Sequence, residues 1–145
     1  MLHILEHFGY ELDLGKISDE EKEEIKQQIA FVKENRELIT KGTFYRLLSP
    51  FEGDETSWMV VSKDKKKAIV GYYRERQPSN APYKRLYLKG LDDQTQYRIN
   101  EDENLYYGDE LMYAGMIISD QACGVRSANI IQGDYQSRIF ILSEA

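Results

Sequence analysis

At Gly42 the period of the sequence changes, and that change limits the folds open to this chain more than any other feature. Before it, Ile25, Ile29, Val32 and Ile39 recur at helical spacing, flanked by Phe31 and Leu38. Residues 18–40 are therefore predicted to form one long amphipathic α-helix with a single apolar stripe. Ser18 followed by Glu21 is a capping box, in which the hydroxyl takes an orphan backbone N–H and the carboxylate reaches back. Asp19, Glu20, Glu21, Glu23 and Glu24 crowd the positive end of the helix dipole, while Lys33, Arg36 and Lys41 lie toward the negative end. Gly42 stands where a C-terminal cap belongs. Arg36 is in line with the stripe, and a partly buried ion pair or a snorkelling side chain is expected there rather than an anion site.

After Gly42 the chain reads in short strands separated by turn residues. Residues 44–48, 57–62 and 68–74 come first, the first two joined by the acidic turn "SPFEGDET" and the next two by the basic run Lys63-Asp64-Lys65-Lys66-Lys67. That run is predicted to be a solvated hairpin turn. Residues 84–89 alternate, with Leu86 and Leu88 on one face; residues 96–100 alternate again with Tyr97 and Ile99 inward. A short strand at 105–107, a turn plus a helical turn in "GDELMYAG", and a last strand at 136–142 complete the pattern. Short strands with a turn every eight to twelve residues or so predict an antiparallel, Greek-key-like β-sandwich. The chain is thus mainly β, preceded by one long helix, with the pattern changing from Thr43 onward.

The composition narrows the chemistry. At 145 residues the chain is long enough to bury a core without disulfides or metal. Cys123 is the only cysteine, which rules out an internal disulfide, and with two histidines beside it a structural zinc site is not expected. The net charge of -6 and pI near 5.0 repel a phosphate backbone, arguing against nucleic acid as a partner. No apolar run approaches the ~18 residues of a membrane span, and "MLHILEHF" lacks the pattern of a signal peptide, so a cytoplasmic location is expected.

Candidate chemical groups reduce to a few. The adjacent carboxylates Asp54/Glu55, Asp92/Asp93 and Asp109/Glu110 sit in turn-like sequence, and neighbours in a strand point to opposite faces. Turn and cap roles are expected of them rather than an acid–base pair. His3 and His7 have i, i+4 spacing without the glutamate of a metalloprotease motif. Cys123 has no histidine close by in sequence, so an inert thiol is expected. There is no P-loop, dinucleotide fingerprint or nucleophile elbow, and no cofactor is expected. Trp58, Tyr72, Tyr73, Tyr83, Tyr87, Tyr106 and Tyr107 could present flat faces to a sugar, although core and sheet packing is the commoner use of such residues. A carbohydrate-binding module using these residues, or an oligomerisation module pairing through the stripe of Ile25, Ile29, Val32 and Ile39, is the alternative kept open.

Several segments also resemble, in order and spacing, one known family. They are "FGYELDL" (8–14), "FYRLLSPFEG" (44–53), "WMVVS" (58–62), "APYKRLYLKGLD" (81–92), "YGDELMYAG" (107–115) and "GDYQSRIFIL" (133–142). Together they resemble the C-terminal portion of bacterial α-galactosidases of glycoside hydrolase family 36. The resemblance implies that residues 1–42 are similar to the last helical segment of a catalytic (β/α)₈ barrel, and that residues 43–145 are the C-terminal sandwich. The stripe of Ile25, Ile29, Val32 and Ile39 would then pack on the barrel wall. The family's two catalytic aspartates lie on barrel loops upstream of anything in this chain, so the resemblance transfers no catalytic, substrate-binding or metal-binding residue. Two stretches depart from the family: "MLHILEH" at the start, and "ISDQACGVRSANIIQ" (118–132), which is longer than the family's usual connection.

Overall fold

The computed structural model describes residues 15–77, 84–100, 102–118 and 133–145. The chain divides into two compact units, Met1–Gly42 and Thr43–Ala145.

In the first unit, α1 spans Asp19–Glu34 and α2 spans Arg36–Lys41. The capping box forms as its residues dictate: Glu21 N donates to Ser18 Oγ at 3.2 Å and Ser18 N donates to Glu21 Oε2 at 2.7 Å. The expected single helix is broken at Asn35, whose ψ of 9° leaves the helical range. Both its backbone N–H and its side-chain Nδ2 donate to the carbonyl of Phe31, at 3.0 and 2.9 Å. A side chain that competes for a helix carbonyl in this way favours a local turn over continued helix. Beyond the break Arg36 is exposed rather than partly buried. Gly42 does end α2, its N–H bonding to Leu38 O at 2.8 Å. It does so in an extended conformation (φ -65°, ψ 169°), which carries the chain straight into a strand.

In the second unit the strands are β1 (Thr43–Leu48), β2 (Glu55–Val61), β3 (Lys67–Arg74), β4 (Arg85–Leu86), β5 (Gln96–Ile99), β6 (Leu105–Tyr107), β7 (Met116–Ile117) and β8 (Gln136–Glu144). A π-helical turn, Glu110–Gly115, lies between β6 and β7. The main sheet has the order β1-β2-β3-β8-β5-β6, and β4 pairs with β7 as a small second sheet. Every pairing is antiparallel. The last strand is inserted between β3 and β5, a return of the Greek-key kind.

The fold is an antiparallel β-sandwich whose core lies between these layers. Met59, Val70, Phe140, Leu142, Tyr97 and Ile99 from the main sheet meet Leu86, Leu88, Leu91, Leu111, Met116 and Ile118 from the other side. Tyr97 is fully buried with both capacities of its hydroxyl used: it donates to Lys65 O at 2.7 Å and accepts from Asp92 N at 3.1 Å. The second layer is less regular than its alternation predicts. Only Arg85 and Leu86 pair as a strand; Leu88 N bonds instead to Leu111 O of the π-helical turn at 3.1 Å. The alternation survives because Leu86 and Leu88 still point inward while Tyr87 and Lys89 are exposed.

Candidate functional site

The chemistry-bearing residues fall where turns and caps need them. Asp92 Oδ1 accepts from Gln94 N and Thr95 Oγ1, both at 3.1 Å, closing the turn before β5. Asp109 Oδ1 accepts from Glu110 N at 2.7 Å at the start of the π-helical turn. Asp54 pairs with Arg76 at 3.2 Å, tying the first hairpin to the chain beyond β3. The basic run 63–67 is the β2–β3 turn: Lys65 has a positive φ of 60°, and Asp64 Oδ1 accepts from Ser62 Oγ at 2.6 Å and Lys66 N at 3.1 Å. These bonds hold the Asp64 carboxyl below its ordinary range, the Ser62 hydroxyl contributing most.

Glu55, expected in a turn, instead begins β2 and sits in a half-buried network. It accepts from the Tyr72 hydroxyl at 2.5 Å and forms an ion pair with Lys84. Burial lowers the Lys84 ammonium from its usual value. The three side chains join β2, β3 and the first described residue of the second layer, so this cluster holds the sandwich closed. With a single carboxylate it lacks the facing pair that glycoside hydrolysis requires. Among the described residues, no group of three or more His, Cys, Asp or Glu could hold a metal ion. His3, His7, Tyr83 and Cys123 lie outside the described residues, as do the segments 8–14 and 119–132.

The aromatic residues divide sharply. Trp58 and Tyr72, at 4% and 1% exposure, have no face to offer a ligand. The Trp58 indole lies over Gly71 of the neighbouring strand, on the sheet face away from the core cluster. Its Nε1 is buried and meets no acceptor in good geometry. Burial pushes the adjacent Tyr73 hydroxyl up, an effect the indole N–H partly opposes. Val60 and Ile69 share this face with Trp58 and are also buried. The central strands are therefore apolar on both faces, as the unbroken runs "WMVV" and "AIV" require.

What remains outside is a set of apolar surfaces. Ile25, Ile29, Val32 and Ile39 are each only partly buried. Phe44, Tyr87 and Tyr107 are about half exposed, at 46%, 54% and 48%, and Phe51 is 94% exposed at the tip of the β1–β2 hairpin. Phe51 is the residue that pattern reading passes over, since a lone phenylalanine in an acidic turn breaks no periodicity. A hydrophobic residue between Pro50 and Gly53, where turns are ordinarily polar, is the signal that could have found it. The described residues thus present a set of exposed and half-exposed apolar surfaces. None of their helices is long and apolar enough to cross a membrane.

Residues 55–142 match the glycosyl hydrolase family 36 C-terminal domain, and residues 1–42 match Melibiase. The chain is 54% identical over 112 residues to the α-galactosidase AgaA of Geobacillus stearothermophilus, an alignment covering 77% of this chain and 15% of that protein. It is 37% identical over 109 residues to the bifunctional α-galactosidase/sucrose kinase AgaSK of Mediterraneibacter gnavus, covering 75% of this chain and 12% of that one. Among solved structures, an α-galactosidase from Lactobacillus brevis superposes with a TM-score of 0.85 at 39% identity, over 98% of this chain and 19% of its own. The α-galactosidase AgaB of Geobacillus stearothermophilus superposes with a TM-score of 0.81 at 48% identity, over 95% of this chain and 18% of its own. The chain therefore spans less than a fifth of the relatives it matches.

Proposed function

This chain belongs to the C-terminal domain family of glycosyl hydrolase family 36, and from that premise we propose that it is the accessory domain of a larger enzyme acting on terminal α-galactosides. The observation that carries the reading is the match of residues 55–142 to that domain, in a chain covering only 15% of AgaA. The domain's task is structural: it accompanies a catalytic barrel and supplies none of the reacting carboxylates. Residues 1–42 are read as the barrel's last helical segment, in keeping with their match to Melibiase. Their stripe of Ile25, Ile29, Val32 and Ile39 is the surface that faces the barrel, since half-buried isoleucines at helical spacing suit packing against a second layer. Without a barrel, the same stripe would drive pairing between copies.

The test is hydrolysis of an aryl α-galactoside by the purified chain, with the chain grafted in place of the matching segment of AgaA as comparison. The chain alone is expected to release nothing above buffer, and the graft to be active. Turnover by the chain alone that a point substitution within it abolishes would overturn the reading. A sugar platform at Trp58 is not proposed, because that side chain is buried. The cytoplasm is proposed as the compartment, since one cysteine in 145 residues shows no reliance on an oxidising one; cell fractionation tests it.

A further inference from the structure

The β1–β2 turn is built to hold one apolar side chain out into solvent. Ser49 closes the turn on itself, its carbonyl accepting from Glu52 N at 3.3 Å and its hydroxyl from Phe51 N at 3.3 Å. Pro50 removes backbone freedom immediately before Phe51. At the base, Glu75 N donates to Asp54 O at 2.8 Å, and Asp54 pairs with Arg76. The tip is thus braced against the chain just beyond β3 and has little conformational entropy left to lose on binding, which is the condition for a preorganised contact. Phe51 nevertheless stays 94% exposed, and a Cβ placed on Gly53 would meet nothing within 4 Å. Tyr113 and Tyr135 are comparably exposed at 75% and 83%, but a tyrosine hydroxyl satisfies itself in water; a phenylalanine ring gains only by leaving it.

We propose that Phe51 is a docking anchor that seats in an apolar pocket with a basic rim on the catalytic body of the longer enzyme. This rests on the accessory-domain reading above. The chain enters the sandwich at Thr43, and the six residues of β1 carry it about 20 Å to the tip. A domain joined to its enzyme at one point can pivot; a second contact that far from the join fixes its orientation. The bulk available for such a contact is large, because the relatives carry more than four-fifths of their length outside the matched segment. Charge selects against the other protein partner, a second copy of this chain. Asp54 is already paired with Arg76, but Glu52 adjoins the ring and the net charge is -6, so two tips repel each other, while a basic rim attracts the Glu52 carboxylate.

Hydroxyl-radical footprinting of Phe51 tests this in the isolated chain and in the AgaA graft. Phe51 is expected to oxidise readily in the isolated chain and several-fold more slowly in the active graft, with Tyr135 as an internal reference. Phe51→Ser is expected to lower the melting temperature of the graft while leaving that of the isolated chain unchanged. An active graft in which Phe51 oxidises as fast as in the isolated chain overturns the inference and leaves the accessory-domain reading standing. Protection that grows with concentration of the isolated chain assigns the contact to a second copy, and protection by melibiose assigns it to sugar; either overturns it. An inactive graft removes the accessory-domain reading, and the inference with it.

Discussion

Gly71 shows how closely one position can be specified by a partner thirteen residues away. Trp58 and Gly71 are register partners on β2 and β3, and the indole fills the space where a side chain would stand. A Cβ on Gly71 would lie 2.5 Å from Trp58 Cε2, well inside contact distance, so the rigid ring must move. Gly71→Ala is therefore expected to cost about 1–3 kcal/mol, the usual range for overpacking, read as a lower urea midpoint with an unchanged slope. Replacing Trp58 by leucine in the same background is expected to recover part of that loss, since the smaller side chain vacates the site. The need for glycine here is invisible in sequence, because it depends on register across a hairpin. By contrast, the inward set Leu86, Leu88, Tyr97 and Ile99 is legible from alternation alone, since period 2 assigns faces without knowing the neighbour. The turn roles of Asp92 and Asp109 are legible for the same local reason, whereas Glu55, expected in a turn, begins β2 and meets Tyr72 and Lys84, partners far away in sequence.

Elements were readable in proportion to how locally they are determined. The start of α1 is a case where three residues suffice, and both hydrogen bonds of the Ser18–Glu21 box are made. Ser18→Ala is expected to cost the first unit about 1 kcal/mol and to lower the far-ultraviolet helical signal. The sandwich, joined through its own strands, should keep its near-ultraviolet spectrum. A Ser18→Asp variant, which restores an acceptor at the same place, should return most of the helicity. The C-terminal half of the helix was less legible. Helical spacing continues through Asn35 into Ile39, and only the competition of the Asn35 amide for Phe31 O divides α1 from α2. In the second layer the π-helical turn has the same effect: Leu111 O takes the Leu88 N–H, so a run that alternates like a long strand pairs over two residues only. Periodicity reports which face is buried, not which backbone group will accept a hydrogen bond.

For the molecule as a whole, the sheet order was out of reach because β8 is drawn in from the far end of the sequence to lie between β3 and β5. The surfaces for a partner were half legible: the isoleucine stripe follows from spacing, whereas the exposure of Phe51 follows only from the turn that holds it. The same architecture sets how the fold responds to pH. Burial raises the Tyr97 hydroxyl, and burial followed by the neighbouring Asp102 carboxylate raises that of Tyr106. A group raised in the folded state contributes stability that is complete below its unfolded value, about 10 for tyrosine, and is lost as pH climbs through the folded one. Asp102 works at the other end. The N–H of Asn104, and then the Tyr106 hydroxyl, hold its carboxyl down, so its contribution is complete above the unfolded value of about 3.9 and lost as pH falls through the folded one. Lys84, lowered by burial, slightly opposes the alkaline loss, because its charged form is the one disfavoured by folding. Stability is thus expected to be flat across the neutral range and to fall above about pH 10. Tyr97→Phe separates the causes. It removes the bonds to Lys65 O and Asp92 N and should cost about 1–2 kcal/mol at neutral pH. It should also flatten the alkaline limb, because the group that must lose its proton inside the core is gone. Equilibrium unfolding at neutral and alkaline pH reads both effects, and a variant whose alkaline limb is as steep as that of the parent would show that some group other than Tyr97 governs it.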